Sequence, residues 1–258
     1  MEKNKKKNEK YIKQLIDKEK FNYLYQPIYN NKANRYTKFE VLTRLRDDDG
    51  YEIEPEIFIK IAEKFDIVYK IDLLALKNAC EILLYLKDNN INLERIYVNF
   101  SSSTLKIENI VYEIEKYLKC FGVDPSMIGI EVTEFMPIVN IDEFNETINK
   151  LMNLGIEISI DDFGKMNSDI HRIIDTKFNC IKLDKSIITR ISDENNSGIV
   201  IKMLSNLANE MGIVLVAEGI ENKYEMNFLK EYGINYFQGF HISRPMSIEE
   251  VIKIKSYK

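Results

Sequence analysis

The alternation of short apolar runs with helix-periodic stretches constrains this chain more than any other feature. Apolar runs recur at residues 95–100, 127–132, 156–160, 179–183, 213–217 and 235–240. Between them, 107–121, 141–154, 199–211 and 224–232 carry apolar residues at helical spacing. Strands alternating with helices build βαβ units, and such units build parallel sheets. Ahead of these runs, residues 21–29 and 36–45 alternate like strands around a turn at 30–34, which predicts an opening hairpin. A helical stretch at 55–89, broken near Asp66, joins the hairpin to the first run. Eight strands in 258 residues match the size of an α/β, TIM-like (β/α)8 barrel. The runner-up is a doubly wound open sheet, but the Gly-x-Gly-x-x-Gly turn favoured there is absent. Residues 1–20, rich in Lys, Asn and Glu, read as a charged, solvated lead-in helix, and 21–258 as one domain.

Charge and cysteine usage remove several function classes. The chain has 36 basic and 41 acidic residues, so a broad footprint for a nucleic acid polymer is not expected. No apolar run approaches the roughly 18 residues of a membrane span, and the N-terminus lacks the apolar stretch of a signal peptide. The expectation is a cytoplasmic protein. Cys80, Cys120 and Cys180 are far apart, with neither disulfide-framework nor zinc spacing. Only His171 and His241 are present, which leaves little for a His-based triad or metal site.

The strand ends carry the chemistry. The second strand holds Glu40, and the later runs end in Asn99, Glu131, Asp161-Asp162, Lys182, Glu218 and Gln238, with Glu134 and Asp184 just beyond. A single polar residue at a strand end is usually a loop cap or a rim ion pair. Successive strand ends that all carry such residues are another matter, because a barrel collects them on one face. Five carboxylates in one basin repel each other and require a cation. Oxygen ligands without Cys or His select Mg²⁺ or Mn²⁺, and Ca²⁺ less well. Adjacent Asp161 and Asp162 can serve two ions, the arrangement that activates water for displacement at phosphorus. Lys182 adds a fixed positive charge.

These residues resemble the EAL domain family of cyclic-di-GMP phosphodiesterases over about Tyr25 to Met246. Tyr25-Gln26-Pro27-Ile28 opens the match, and Glu40-Val41-Leu42-Thr43-Arg44 stands at the family's Glu-Ala-Leu-x-Arg. Val98-Asn99-Phe100-Ser101, Glu131-Val132-Thr133-Glu134, Asp161-Asp162-Phe163-Gly164, Lys182-Leu183-Asp184, Ala217-Glu218-Gly219-Ile220-Glu221 and Gln238-Gly239-Phe240 follow in the family's order. The resemblance implies a modified TIM-like barrel with an antiparallel first strand, and hydrolysis of cyclic di-GMP to linear pGpG. It implies that Glu40, Asn99, Glu131 and Asp161 hold one metal, and that Asp161, Asp162 and Glu218 hold or frame a second. Ca²⁺ is then expected to inhibit. It also implies that Lys182 fixes the attacking water and that Glu218 accepts a proton. Gln26, Leu42, Arg44, Asp184 and Gln238 would contact the dinucleotide. Glu134 would brace the following loop through Ser168, and a homodimer is implied.

One segment departs from the pattern. After Asp-Asp-Phe-Gly the family has Thr-Gly-Tyr-Ser-Ser, and this chain has Lys165-Met166-Asn167-Ser168-Asp169. No ligand is lost, so slowed turnover is expected. Val41 for Ala and the lack of a Trp near Leu45 are minor. The competing reading is a degenerate EAL domain that holds the dinucleotide, or a protein partner, without cleaving it.

Overall fold

The computed structural model describes residues 2–133, 141–165, 170–189 and 196–254. Helix α1 (Glu2–Asp17) leads into a long hairpin of β1 (Phe21–Asn30) and β2 (Arg35–Arg46). The hairpin turns with Asn34 at φ 53, a left-handed position that Asn tolerates. A short β3 (Glu52–Ile53) pairs with the end of β2. The predicted long helix is two, α2 (Pro55–Lys64) and α3 (Val68–Asp88), and the break falls at Asp66 with φ 54. The rest alternates as expected: β4 (Arg95–Asn99), α4 (Ile110–Phe121), β5 (Ile128–Thr133), α5 (Ile141–Leu154), β6 (Glu157–Phe163), α6 (Ile170–Asp175), β7 (Cys180–Leu183), α7 (Lys185–Ile188), α8 (Ser197–Met211), β8 (Val214–Ala217), α9 (Lys223–Glu231), β9 (Tyr236–Phe237) and α10 (Ile248–Lys253).

The sheet closes. Strands β2, β4, β5, β6, β7, β8 and β9 pair in parallel, and β1 pairs antiparallel with both β2 and β9. This is the predicted eight-stranded barrel with an antiparallel first strand, and the open-sheet alternative is excluded. Alternate residues of each strand point inward. They stack in layers, with Ile28, Tyr97, Cys180 and Val216 forming an apolar floor. The main core lies outside the barrel, where α3, α4, α5, α8 and α9 cover the sheet with Leu76, Ile114, Ile148, Ile201 and Leu229.

Helix α1 departs from the solvated reading. Its apolar stripe, Ile12, Leu15 and Ile16, is buried with Leu45, Phe58 and Ile71 in a second cluster. Ion pairs Lys64–Glu9 at 2.7 Å and Lys70–Asp17 at 3.0 Å fasten its polar edge to α2 and α3. The sparse spacing of Tyr11, Ile12, Leu15 and Ile16 therefore marks a docked face. No described helix is long and apolar enough to cross a membrane.

Candidate active site

Strand register places the site. Glu40 lies beside Tyr97, two residues before Asn99, and Asn99 faces Glu131 across the next pair. Parallel strands in register bring these side chains to one end of the barrel. Adjacent Asp161 and Asp162 would point to opposite faces of a regular strand. Here the β6–β7 register breaks between Ile160 and Phe163, and Asp162 adopts φ 58. This bulge turns both carboxylates toward the same basin, a conformation that Asp tolerates better than most residues.

Lys182 is the centre. Its Nζ lies 3.0 Å from Glu40 Oε2, 2.9 Å from Glu131 Oε2, 3.3 Å from Asp161 Oδ1 and 2.7 Å from Glu218 Oε1. Asn99 Nδ2 donates to Glu40 Oε1 at 2.9 Å, and Gln238 Nε2 donates to Glu40 Oε2 at 2.7 Å. Glu40 is thus held at both oxygens, while among the described residues Glu131 Oε1 is buried without a donor and Asp161 Oδ1 has only the long Lys182 contact.

The electrostatics follow from that imbalance. Burial opposes ionisation of Glu40, but Lys182, Gln238 and Asn99 outweigh it and hold the carboxyl below its usual range. Burial and neighbouring Glu40 push Glu131 well above the carboxylate range. Burial likewise raises Asp161, and pushes Glu218 up to about 8 against the pull of Lys182. Burial disfavours the Lys182 ammonium, but Asp161, Glu131, Glu218 and Glu40 raise it well above its ordinary value. One ammonium among four carboxylates leaves an unmet demand for positive charge. Among the described residues, Asp161, Asp162 and Glu218 each offer an oxygen, all within 4.8 Å of one another. The donor set and the orphaned buried oxygens fit a hard divalent cation.

Two cavities flank this centre. One of about 270 Å³ is lined by Gln26, Asp184, Glu218, Gln238 and Phe240. The other, also about 270 Å³, is largely apolar and is lined by Leu42, Arg44, Pro55, Glu63 and Asn99. The structure therefore brings Gln26, Asp184 and Gln238 to one side, and Leu42 and Arg44 to the other. Arg44 is paired with Glu52 at 3.1 Å, and the Asp184 carboxylate also caps α7 by accepting from the Ser186 N–H at 2.7 Å. The proposed brace of Glu134 and Ser168, with Met166 and Asn167, lies outside the described residues.

Two features escaped the sequence reading. Lys165 Nζ bonds Asp162 Oδ2 at 2.9 Å, beside the metal-competent group. The carboxyl of Asp72 accepts from Thr104 Oγ1 at 2.5 Å and from the Ser101 N–H at 2.9 Å, which ties α3 to the segment after Asn99. The Lys165 contact was signalled by its spacing of three from Asp162. The Asp72 contact had no local signal.

Comparison with known proteins agrees with this geometry. Signaling protein YkoW of Bacillus subtilis is 29% identical over 242 residues, covering 94% of this chain and 30% of its own length. The probable cyclic di-GMP phosphodiesterase PdeN of Escherichia coli is 29% identical over 247 residues, covering 94% of this chain and 46% of its own length. The chain thus spans less than half the length of these curated relatives. The EAL enzyme Bd1971, in its cAMP and cyclic-di-GMP bound form, superposes with a TM-score of 0.87 at 27% identity, covering 97% of this chain and 68% of the other. The EAL domain family model matches residues 9–245, a span that includes the hairpin, every strand of the barrel and all the residues around Lys182, and the chain belongs to that family.

Proposed function

We propose that this chain is a metal-dependent phosphodiesterase that opens cyclic di-GMP to linear pGpG. The observation that carries the reading is the shortage of cations around Lys182, where among the described residues four carboxylates share one ammonium and the buried Glu131 Oε1 lacks a donor. EAL phosphodiesterases depend on metal in general, and the acidic cluster here could bind it. The relative PdeN, a probable cyclic di-GMP phosphodiesterase, and the cyclic di-GMP bound to Bd1971 support the substrate.

Mg²⁺ or Mn²⁺ ions bound here would supply Lewis acidity and a water of lowered pKa. Glu40, Asn99, Glu131 and Asp161 would hold one ion, and Asp161, Asp162 and Glu218 the other. Asn99 and Gln238 fix the rotamer of Glu40 by binding both of its oxygens. With cations on those carboxylates, the Lys182 ammonium, now bonded to Glu40, Glu131 and Glu218, would be released to hold the attacking water and steady the charge that grows on phosphorus. Glu218, whose Oε1 lies 2.7 Å from Lys182 Nζ, would accept the water's proton. The water oxygen bonds to phosphorus, one ester bond to sugar breaks, and the sugar oxygen leaves with a proton from solvent. Arg44 suits a phosphate, because its planar fork pairs with two oxygens. With Leu42 it would hold one half of the dinucleotide, and Gln26, Asp184 and Gln238 the other half. Glu134 and Ser168 would brace the loop between β6 and α6. The same reading takes the protein as a cytoplasmic homodimer.

Metal-stripped protein incubated with cyclic di-GMP tests the reading. Linear pGpG should form with Mn²⁺ or Mg²⁺, and little should form with Ca²⁺, whose looser geometry does not fix the water. Glu40→Ala should retain less than about a tenth of the wild-type rate per folded molecule, with folding checked separately because three buried donors lose their acceptor. Tight binding of the dinucleotide with no product under any metal would replace the enzyme by a receptor.

A further inference from the structure

The chain carries its own cation at the outer oxygen of Asp162. The residues after the β6 bulge form a tight turn, in which the Lys165 N–H donates to the Asp162 carbonyl at 3.2 Å and Gly164 adopts φ 96. The turn is pinned from the next strand and helix. The Ser186 hydroxyl donates to the Gly164 carbonyl at 3.1 Å, and the Asp184 N–H donates to the Phe163 carbonyl at 2.9 Å. On that pinned turn the Lys165 side chain folds back, and its Nζ reaches Asp162 Oδ2 at 2.9 Å. Asp162 is one of the three carboxylates whose oxygens lie within 4.8 Å of one another.

We propose that Lys165 is a resident counter-ion that competes with a divalent cation for Asp162, so that the two metal positions fill unequally. The proposal rests on the metal-dependent reading above. The buried position is served by Lys182, whose Nζ would yield part of its hold on Glu40, Glu131 and Glu218 as an ion loads, and that shift is the same with or without Lys165. The outer position is served by Lys165, whose side chain is half exposed on a flexible stem and can swing into water. An exposed pair at this spacing is weak, so release of Lys165 lowers affinity without abolishing it. Its positive charge also opposes an arriving divalent ion over a few Å. The outer ion should therefore load at higher metal concentration, or together with a phosphodiester whose negative charge draws it in.

Titration of metal-stripped protein with Mn²⁺, with free Mn²⁺ read by electron paramagnetic resonance, tests this without turnover. Wild type should bind one ion tightly and one weakly. Lys165→Met should tighten the weak step by about tenfold and leave the tight step within about twofold. Lys165→Arg keeps the charge and should follow wild type. Superimposable isotherms for wild type and Lys165→Met would overturn the role of Lys165 alone, as would an Arg variant that tightens as much as the Met variant. Failure of all three proteins to bind Mn²⁺ would overturn the metal-dependent reading itself, and the role of Lys165 with it.

Discussion

Among the described residues two lysines are buried inside this barrel, one near each end, and the ratio of cations to carboxylates around them differs. Lys182 faces four carboxylates as the only ammonium among them. Lys38 lies at the opposite end, where β2 meets the start of β4. It donates to Tyr97 Oη at 3.0 Å, lies 3.5 Å from Glu157, and sits over the rings of Tyr97 and Tyr236. Arg95 also pairs with Glu157. That end therefore has two cations for one carboxylate, with phenol and ring faces absorbing the excess. The Lys182 end has an excess of acceptors and orphaned oxygens. Equal burial thus produces a plug at one end and a cation site at the other, and the ratio of charges decides which.

The largest effect should come from breaking the Lys182 side. Lys182→Met removes the one fixed positive charge and the proposed donor to water, so turnover should fall by about three orders of magnitude or more. Assays of pGpG formation at saturating Mn²⁺ measure it. A variant within tenfold of wild type would remove Lys182 from the chemistry. The matched change at the other end, Lys38→Met, should do the reverse. It leaves the Tyr97 oxygen without its donor, while Glu157 keeps Arg95 and the Tyr97 hydroxyl, and should lower stability by about 1–3 kcal/mol. Activity per folded molecule should stay within about twofold. Gly129→Ala tests the same plug by volume, since a Cβ there would lie 2.2 Å from the Tyr97 ring. It should lower the melting temperature through overpacking, at about 1–3 kcal/mol.

The metal prediction is smaller. Excess acceptors destabilise the metal-free protein, and a bound cation should relieve them. At a hundred times Kd, one ion should add about 2.7 kcal/mol of stability, read as a rise in melting temperature. Glu131→Gln removes one repelling carboxylate. It should stabilise the metal-free protein and reduce the Mn²⁺-induced rise. A metal-induced rise as large in Glu131→Gln as in wild type would show that Glu131 is no part of the cation site.

Most of this contrast was legible in the sequence at one end only. Asn99, Lys182, Glu218 and Gln238 sit at or next to a strand end, Glu131 and Asp161 lie two residues short of one, and Glu40, in the middle of β2, lies beside the last pair β2 makes with β4, so parallel pairing forces them together. The Lys38 plug obeys the same parity, two residues before Glu40, but a lysine beside aromatic and apolar residues reads as a solvated side chain until its strand is known to line a closed barrel. The aim of Asp162 was hidden because a bulge leaves no mark in an alternation pattern. Helix α1 was misread because three buried residues among many charged ones, Ile12, Leu15 and Ile16, find their partners Phe58 and Ile71 only in the folded chain.

Asp72 sharpens the comparison by supplying a third regime, a buried carboxyl with neutral donors and no cation. Thr104 and the Ser101 N–H bind it, and burial, with Glu63 nearby, pushes it up to about 7. Its folded pKa lies above the unfolded value of 3.8, so the native state binds the extra proton. Its contribution to stability is complete at low pH and is lost as pH rises toward and through 7. Between pH 6 and 8 that loss should be about 1.4 kcal/mol, one pH unit's worth of proton binding. In Asp72→Asn the amide oxygen still accepts from Thr104 and Ser101 and cannot ionise. Denaturant melts of both proteins at pH 6, 7 and 8 should show the variant gaining on wild type by that amount. Parallel profiles would mean that Asp72 is already ionised at pH 6. A cation would then not be what separates ionised from protonated carboxyls at this end of the barrel.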